Sequence, residues 1–352
     1  MLFYPSHDIA LGNGVKHFNP PLAALRLQED LAALSKIWNE DKFKDFNDNT
    51  KEPFIPIPWG WDWDTRAYIS KEYGIKQKHL PTDEDLRALR ELSSRKTTIS
   101  IISKIKEMAD CFREVEIPTY LDNEEKLTEF IDSHNNYVLK TPWSSSGRGL
   151  SRSEVWTKES LTKHALATIR KMGGIVAEKW YQKIQDFAML FYVGKEKVEF
   201  IGYSLFDNDE SGTYRSGKLM SNDMIEAALP TTCELTKQCL LKILNDMFEP
   251  FMHKTWEVGY IGIDMMIAEG EDYFVHPCVE MNLRCTMGVV ARLYFDKNCT
   301  EEQVGDFFIS PASTYEKLQG TDANLCRTYG ERYQRLTDLH HNSMFMAYAI
   351  FE

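Results

Sequence analysis

Apolar positions along the chain follow two periods. Leu22, Leu25, Leu31, Leu34 and Trp38 recur as on one face of a helix, and the spacing predicts a helix over 22–38. Pro81-Thr82-Asp83-Glu84-Asp85 reads as a helix start, because Thr82 or Asp83 can cap and acidic side chains suit the first turn. Further helices are expected over 99–113, 123–131, 158–171 and 235–248. Short apolar runs predict strands at Leu2–Tyr4, Tyr137–Lys140 and Gly174–Trp180, with an extended piece at 117–120. Segment 187–206 alternates and predicts two strands joined at Gly194-Lys195. Tyr260–Ala268 and Tyr273–Asn282 predict a hairpin around Glu269-Gly270-Glu271-Asp272. Prolines in Phe54-Ile55-Pro56-Ile57-Pro58 forbid a central strand there. The residues after Glu301 read as mostly helical. The fold class expected is α/β (α+β), from mixed strand and helix blocks.

Composition narrows this. A chain of 352 residues suggests two or three domains at about 100–200 residues each. A net charge of -12 opposes phosphate backbones, so no nucleic-acid partner is expected. The seven cysteines are odd in number and form no C-x-x-C pair, which reads as a reduced cytoplasmic protein with neither zinc site nor disulfide framework. Met1-Leu2-Phe3-Tyr4-Pro5 lacks the basic start and long apolar run of a signal peptide. No apolar stretch approaches about 20 residues, so no membrane span is expected.

The candidate chemistry begins at Glu280-Met281-Asn282-Leu283-Arg284. On a strand, Glu280, Asn282 and Arg284 share one face. Two oxygen donors beside a guanidinium suit Mg²⁺ and a phosphate. Asp264 is the only charge in Ile261-Gly262-Ile263-Asp264-Met265-Met266-Ile267, and a turn near Gly270-Glu271 brings it within one diagonal step of Glu280. Pro277 must then sit at a bulge or an unpaired position. An ion pair on an exposed sheet is the plain alternative. Lys140 ends a strand and runs into Ser144-Ser145-Ser146-Gly147-Arg148-Gly149, a loop able to offer N–H groups and hydroxyls to phosphates, or simply a surface loop. Ile175-Val176-Ala177-Glu178-Lys179-Trp180-Tyr181 reads as a strand whose end could meet an adenine edge, or as a core strand with a charged end. Neither a Walker A loop nor a G-x-G-x-x-G fingerprint follows a strand.

The order lysine, Gly/Ser loop, Glu-Lys-aromatic, Asp, Glu-x-Asn-x-Arg resembles the ATP-grasp superfamily, which includes biotin carboxylase, D-alanine–D-alanine ligase and glutathione synthetase. The resemblance covers roughly residues 95–300, strongest at Tyr137–Leu150, Val176–Tyr181 and His276–Gly288. Tyr4–Leu11 and Pro58-Trp59-Gly60 are also similar to the start of a group of uncharacterised bacterial ATP-grasp proteins. The phosphate loop departs from that of biotin carboxylase in carrying serines where glycines stand. The resemblance implies an N-terminal pre-ATP-grasp α/β domain at 1–95, a lid subdomain at 96–182, a catalytic core at 183–310 and a C-terminal helical extension at 311–352. It implies that Lys104 and Lys140 contact ATP, that Ser144, Ser145, Ser146, Gly147, Arg148 and Gly149 cover the phosphates, and that Glu178, Lys179, Trp180 and Tyr181 hold the adenine. Asp186 would hold the ribose, and Asp264, Glu280 and Asn282 would ligate Mg²⁺. Arg284, with Lys218 or Arg215, would act on the transferred phosphoryl. The implied reaction is Mg-ATP-dependent ligation of a small carboxylate to an amine. A kinase acting on a hydroxyl, or an ATP-binding module without turnover, stands as the alternative, and a homodimer is left open. The run Trp59-Gly60-Trp61-Asp62-Trp63 reads as interface packing, or as an aromatic wall for the acceptor.

Overall fold

The four residues at 137–140 are all buried, and a run so short and so fully covered is a strand between neighbours rather than a helix face. In the computed structural model, which describes residues 2–44, 54–144, 149–208, 214–270 and 273–352, they are β2 (Tyr137–Lys140). With β1 (Thr119–Leu121), β3 (Leu150–Arg152) and β4 (Ile175–Lys179) they make a four-stranded antiparallel sheet in the order β1-β4-β2-β3. Helices Glu124–Ser133 and Lys158–Met172 cover one face, packing Leu127, Phe130, Leu161 and Ala165 on Tyr137, Leu139, Ile175 and Ala177. Both helices start as their sequences demand: Asn123 and Thr157 accept the backbone N–H of Lys126 and Ser160. Alternation then leaves Val138, Lys140, Val176 and Glu178 on the other face of the sheet.

The second sheet holds eight antiparallel strands: β5 (Lys183–Val193), β6 (Val198–Asn208), β7 (Tyr214–Leu219), β8 (Gly259–Glu269), β9 (Tyr273–Asn282), β10 (Gly305–Pro311), β11 (Tyr333–Arg335) and β12 (Phe345–Phe351), ordered β11-β12-β10-β7-β6-β5-β8-β9. Its two faces read directly from β5. Phe187, Met189, Phe191 and Val193 join a core with helices Thr97–Met108 and Thr232–Phe248. Ala188 and Leu190 join another with helix Met287–Asn298 and with Phe3, Tyr4, Trp38 and Trp59 from the start of the chain.

Three expectations are corrected here. The helix expected over 22–38 breaks into Leu22–Asp30, a 3-10 turn at Ala32–Leu34 and a helix Ser35–Lys44. Asp30 draws the first piece toward β12, accepting the backbone N–H groups of Met344 (2.7 Å) and Phe345 (3.0 Å), and the chain turns at buried Leu31. Leu2–Tyr4 is not a strand. Trp59 N–H donates to the Leu2 carbonyl and His7 N–H to the Tyr4 carbonyl, and the described residues before 119 hold helices but no strand. Residues 305–351, expected as mostly helical, supply β10, β11 and β12 around one helix, Tyr315–Tyr329. Phe345–Phe351 is a continuous apolar run, and hydrophobic periodicity cannot separate a strand buried on both faces from a helix. Among the described residues no helix is long and apolar enough to cross a membrane.

The tryptophan run is packing. Trp59 meets Phe3 edge-on at 4.9 Å and Trp38 at 5.7 Å, while Trp61 meets Trp256 at 5.7 Å and donates to the Glu257 carbonyl. Gly60 lets this run pass the His7 imidazole, which Asp62 holds at 3.2 Å. A Cβ on Gly60 would lie 2.5 Å from His7 Nε2, whereas one on Gly320, inside helix Tyr315–Tyr329, meets nothing within 4 Å. Gly60→Ala should therefore destabilise by about 1–3 kcal/mol, and Gly320→Ala should stabilise by about 0.8–1 kcal/mol through helix propensity. Denaturant melts of both variants check the opposite signs.

Candidate active site

β8 and β9 carry the acidic centre. Asp264 pairs directly with Glu280 across the ladder, and Gly262 pairs with Asn282, so the side chains of Asp264 and Glu280 stand together on one face. The ladder breaks between Asp264 and Met266 and resumes at His276, which leaves Pro277 in the irregular stretch where its missing N–H costs nothing. Asn282 donates its amide to Asp264 (2.9 Å) and accepts from Arg284 Nη2 (3.0 Å). Arg284 also donates through Nη1 to the Cys285 carbonyl (3.2 Å) and through Nε to Asp8 (2.8 Å), on helix His7–Asn13. Burial, and then the neighbouring charge of Glu280, push Asp264 up to about 7, against the opposing pull of Asn282 and Arg284. Two adjacent carboxylates that resist ionising together form a site that favours a cation.

The small sheet supplies the facing charges. Lys140 and Glu178, on the face turned from the helices, form a buried ion pair. Lys140 Nζ also reaches the Val279 carbonyl (3.4 Å), so β2 and β9 meet at this lysine. Burial and the charge of Lys140 hold His276 down to about 3, so its imidazole is neutral at physiological pH. The His276 ring meets Tyr181 edge-on at 5.3 Å, and the Tyr181 hydroxyl accepts the Glu116 N–H (2.8 Å). Trp180 lies under the Arg152 guanidinium at 3.9 Å, and exposed Lys179 pairs with Glu116 (3.0 Å).

Sequence reasoning passed over Arg95. Its guanidinium is 4% exposed, bonds Glu280 (2.8 Å), and spans to the Thr141 carbonyl (2.9 Å) and the Ser144 hydroxyl (2.6 Å). The signal was faint: an arginine beside a lysine in Ser93-Ser94-Arg95-Lys96 just before a helix. Asp8 was passed over likewise, since nothing in the sequence links it to Arg284.

The remaining candidates divide. Ser144 joins the site through Arg95, and the Gly149 carbonyl accepts the Thr141 N–H (2.9 Å). A Cβ on Gly149 would lie 2.1 Å from Thr141 Oγ1, so the glycine is required by close approach. Ser145, Ser146, Gly147 and Arg148 lie outside the described residues. Asp186 shares the face of Asp264, two residues along β5 from Ala188, which pairs with Asp264; it bonds Lys183 and Asn208. Lys104 is exposed on helix Thr97–Met108 and is not gathered with the others. Lys218 pairs with Asp306 (2.9 Å) across β7 and β10. The registers Ala188–Ser204 and Phe206–Gly217 put Gly217 on the face of Asp264 and therefore put Lys218 on the opposite face. Arg215 is exposed at the irregular pairing of β6 and β7.

No protein-family model matches the chain, and no curated protein matches it by sequence. Solved structures do. N5-carboxyaminoimidazole ribonucleotide synthetase from Thermus thermophilus is similar over 91% of this chain and 91% of that one, with 13% identity and a TM-score of 0.52. N5-carboxyaminoimidazole synthetase from Staphylococcus aureus complexed with ADP matches over 82% of this chain and 73% of that one, at 10% identity and a TM-score of 0.48. Biotin carboxylase from Campylobacter jejuni, as a β-γ-ATP complex, matches over 75% and 64% at 11% identity and a TM-score of 0.48. The likeness to the Thermus enzyme over 91% of each chain shows that this chain has the ATP-grasp fold.

Proposed function

We propose that the chain is a Mg-ATP-dependent ligase that activates a small carboxylate for attack by an amine. The observation that carries this is the cross-strand pair Asp264 and Glu280, set beside the buried Lys140 where the two sheets meet. In this reading residues 96–182 close over the nucleotide and residues 183–310 form the catalytic core.

Two carboxylates and an amide oxygen fit Mg²⁺, which is commonly held by one or two carboxylates while keeping positions for water and phosphate oxygens. Asp264, Glu280 and Asn282 would hold the ion, and when bound it supplies positive charge against the phosphate oxygens. Lys140 positions the triphosphate as a mobile point charge, exchanging Glu178 for phosphate oxygens. The strand end Glu178–Tyr181 holds the adenine, with buried Tyr181 and neutral His276 as apolar walls. Arg284 has committed one N–H each to Asp8, Asn282 and the Cys285 carbonyl, and the remaining donors of its fork face the acceptor and the moving phosphoryl group. The substrate carboxylate attacks the γ-phosphorus, ADP departs, and the amine then attacks the acyl carbon of the acyl phosphate, forming the amide and releasing inorganic phosphate. The protein's part is placement and charge neutralisation rather than covalent catalysis. Cys285 takes no part, because burial pushes its thiol up.

Asp264→Asn should move stability in two directions. The raised Asp264 pKa means that the folded state binds a proton the unfolded chain has lost, so this stabilisation fades as pH rises from about 4 through about 7. At pH 8, without ligand, the variant should melt above wild type, and the gap should close at pH 5. With Mg-ATP at about 100 times its Kd, wild type should gain about 2.7 kcal/mol, and the variant should lose most of the Mg²⁺-dependent part. Thermal melts with ATP in Mg²⁺ or in EDTA read both effects, and an unchanged Mg²⁺ response would reject the ligand assignment.

The reaction class is read by isotope. Acids are first screened with amines for ADP release, and the active acid is then labelled with ¹⁸O in its carboxylate. Label should appear in inorganic phosphate, and hydroxylamine should trap a hydroxamate without the amine. A stable phosphorylated product with no free phosphate would replace the ligase by a kinase.

A further inference from the structure

Arg95 occupies an unusual place for a buried arginine. It comes just before helix Thr97–Met108, and its guanidinium, 4% exposed, lies between the two sheets. Nη2 donates to Glu280 Oε2 (2.8 Å). Nη1 donates to the Thr141 carbonyl (2.9 Å), one residue past Lys140, and to Ser144 Oγ (2.6 Å). The Arg95 backbone N–H is fixed to the Pro142 carbonyl (2.9 Å). Nε–H is buried and has no hydrogen-bond acceptor among the described residues. One nitrogen is thus anchored to the segment just past Lys140, and another rests on the carboxylate that pairs with Asp264.

We propose that Arg95 is the resident counter-cation of Glu280: it keeps a free divalent ion off the Asp264–Glu280 pair and yields that carboxylate only when a nucleotide brings the ion together with an anion. The proposal rests on the reading of Asp264 and Glu280 as metal ligands. The argument is one of charge and of hydrogen-bond satisfaction. A divalent ion on Glu280 stands beside a guanidinium already bonded to the same carboxylate, and like charges in a partly buried setting repel strongly. Moving Nη2 off Glu280 with nothing in its place leaves a buried guanidinium with both Nη2 and Nε short of acceptors, which is costly. A metal ion alone supplies no acceptor. A polyphosphate supplies several, so its oxygens can take over the N–H groups that Glu280 releases. Metal and nucleotide then bind interdependently, and linkage makes the coupling reciprocal: each tightens the other by the same factor.

The test uses Mn²⁺ as the probe on the full chain, with free Mn²⁺ read by electron paramagnetic resonance, alone and with a non-hydrolysable ATP analogue. Arg95→Gln removes the charge and leaves an amide donor for the Thr141 carbonyl. Without nucleotide it should bind Mn²⁺ about tenfold tighter than wild type or more, and Asp264→Asn in the same chain should abolish that gain. Arg95→Lys keeps a positive charge and should exclude Mn²⁺ as wild type does. Equal Mn²⁺ affinity of wild type and Arg95→Gln without nucleotide, a gain that survives Asp264→Asn, or tight Mn²⁺ binding by Arg95→Lys would each overturn the proposal while wild type still binds Mn²⁺ with the analogue. A wild type that takes up no Mn²⁺ even with the analogue would instead remove the metal-site reading, and this proposal with it.

Discussion

The cross-strand pairing of Asp264 with Glu280 is the constraint on which the rest of the site turns. Adjacent carboxylates on one face of a sheet repel, and burial first, with that repulsion second, raises the Asp264 pKa. A fold that keeps such a pair must surround it with compensating groups. Asn282 donates to Asp264, Arg95 covers Glu280, and Arg284 stands behind Asn282. Asn282 and Arg284 come from the same stretch as Glu280, but Arg95 lies 185 residues from it, and Arg284 is itself held by Asp8, 276 residues away in sequence. One end of the arginine's hydrogen-bond network therefore lies in the helical N-terminal segment, which also packs Phe3, Tyr4 and Trp59 against this sheet.

The same logic holds across the gap between the sheets. Lys140 is buried, and a buried ammonium needs a partner, which Glu178 provides on the neighbouring strand. Three cations around the acidic pair are thus each paired with a carboxylate of the protein: Lys140 with Glu178, Arg95 with Glu280, Arg284 with Asp8. Breaking a buried pair by removing one member is strongly unfavourable, whereas exchanging one anion for another is much less so. The arrangement keeps cations dehydrated and poised while their charge remains balanced.

Much of this was legible in the chain. The Glu280-x-Asn282 spacing, the hairpin placing Asp264 opposite, and the strand ending at Lys140 rest on local periodicity, which short sequence windows contain. The irregular pairing at Pro277 followed from a missing donor. What escaped depended on tertiary contact. Arg95 and Asp8 gain meaning only from partners 185 and 276 residues away. Lys218 was expected near the phosphates, but strand register places it on the far face with Asp306. Phe345–Phe351 read as helix because burial on both faces erases the alternation that marks a strand. Substrate identity escaped for a further reason: the surroundings of Arg284 are assembled from segments as far apart in sequence as Asp8 and Asn282.

The central claim is that a nucleotide's phosphates bind where the two sheets meet, at Lys140, and not at the outlying cations. Calorimetric titration of ATP with Mg²⁺ into wild type, Lys140→Ala and Lys218→Ala tests it most directly. Charge-assisted bonds to a phosphate contribute about 1.5–3 kcal/mol each, so Lys140→Ala should weaken ATP binding by roughly tenfold or more, with Lys218→Ala close to wild type. Equal affinity of wild type and Lys140→Ala, or a larger loss in Lys218→Ala, would contradict the account.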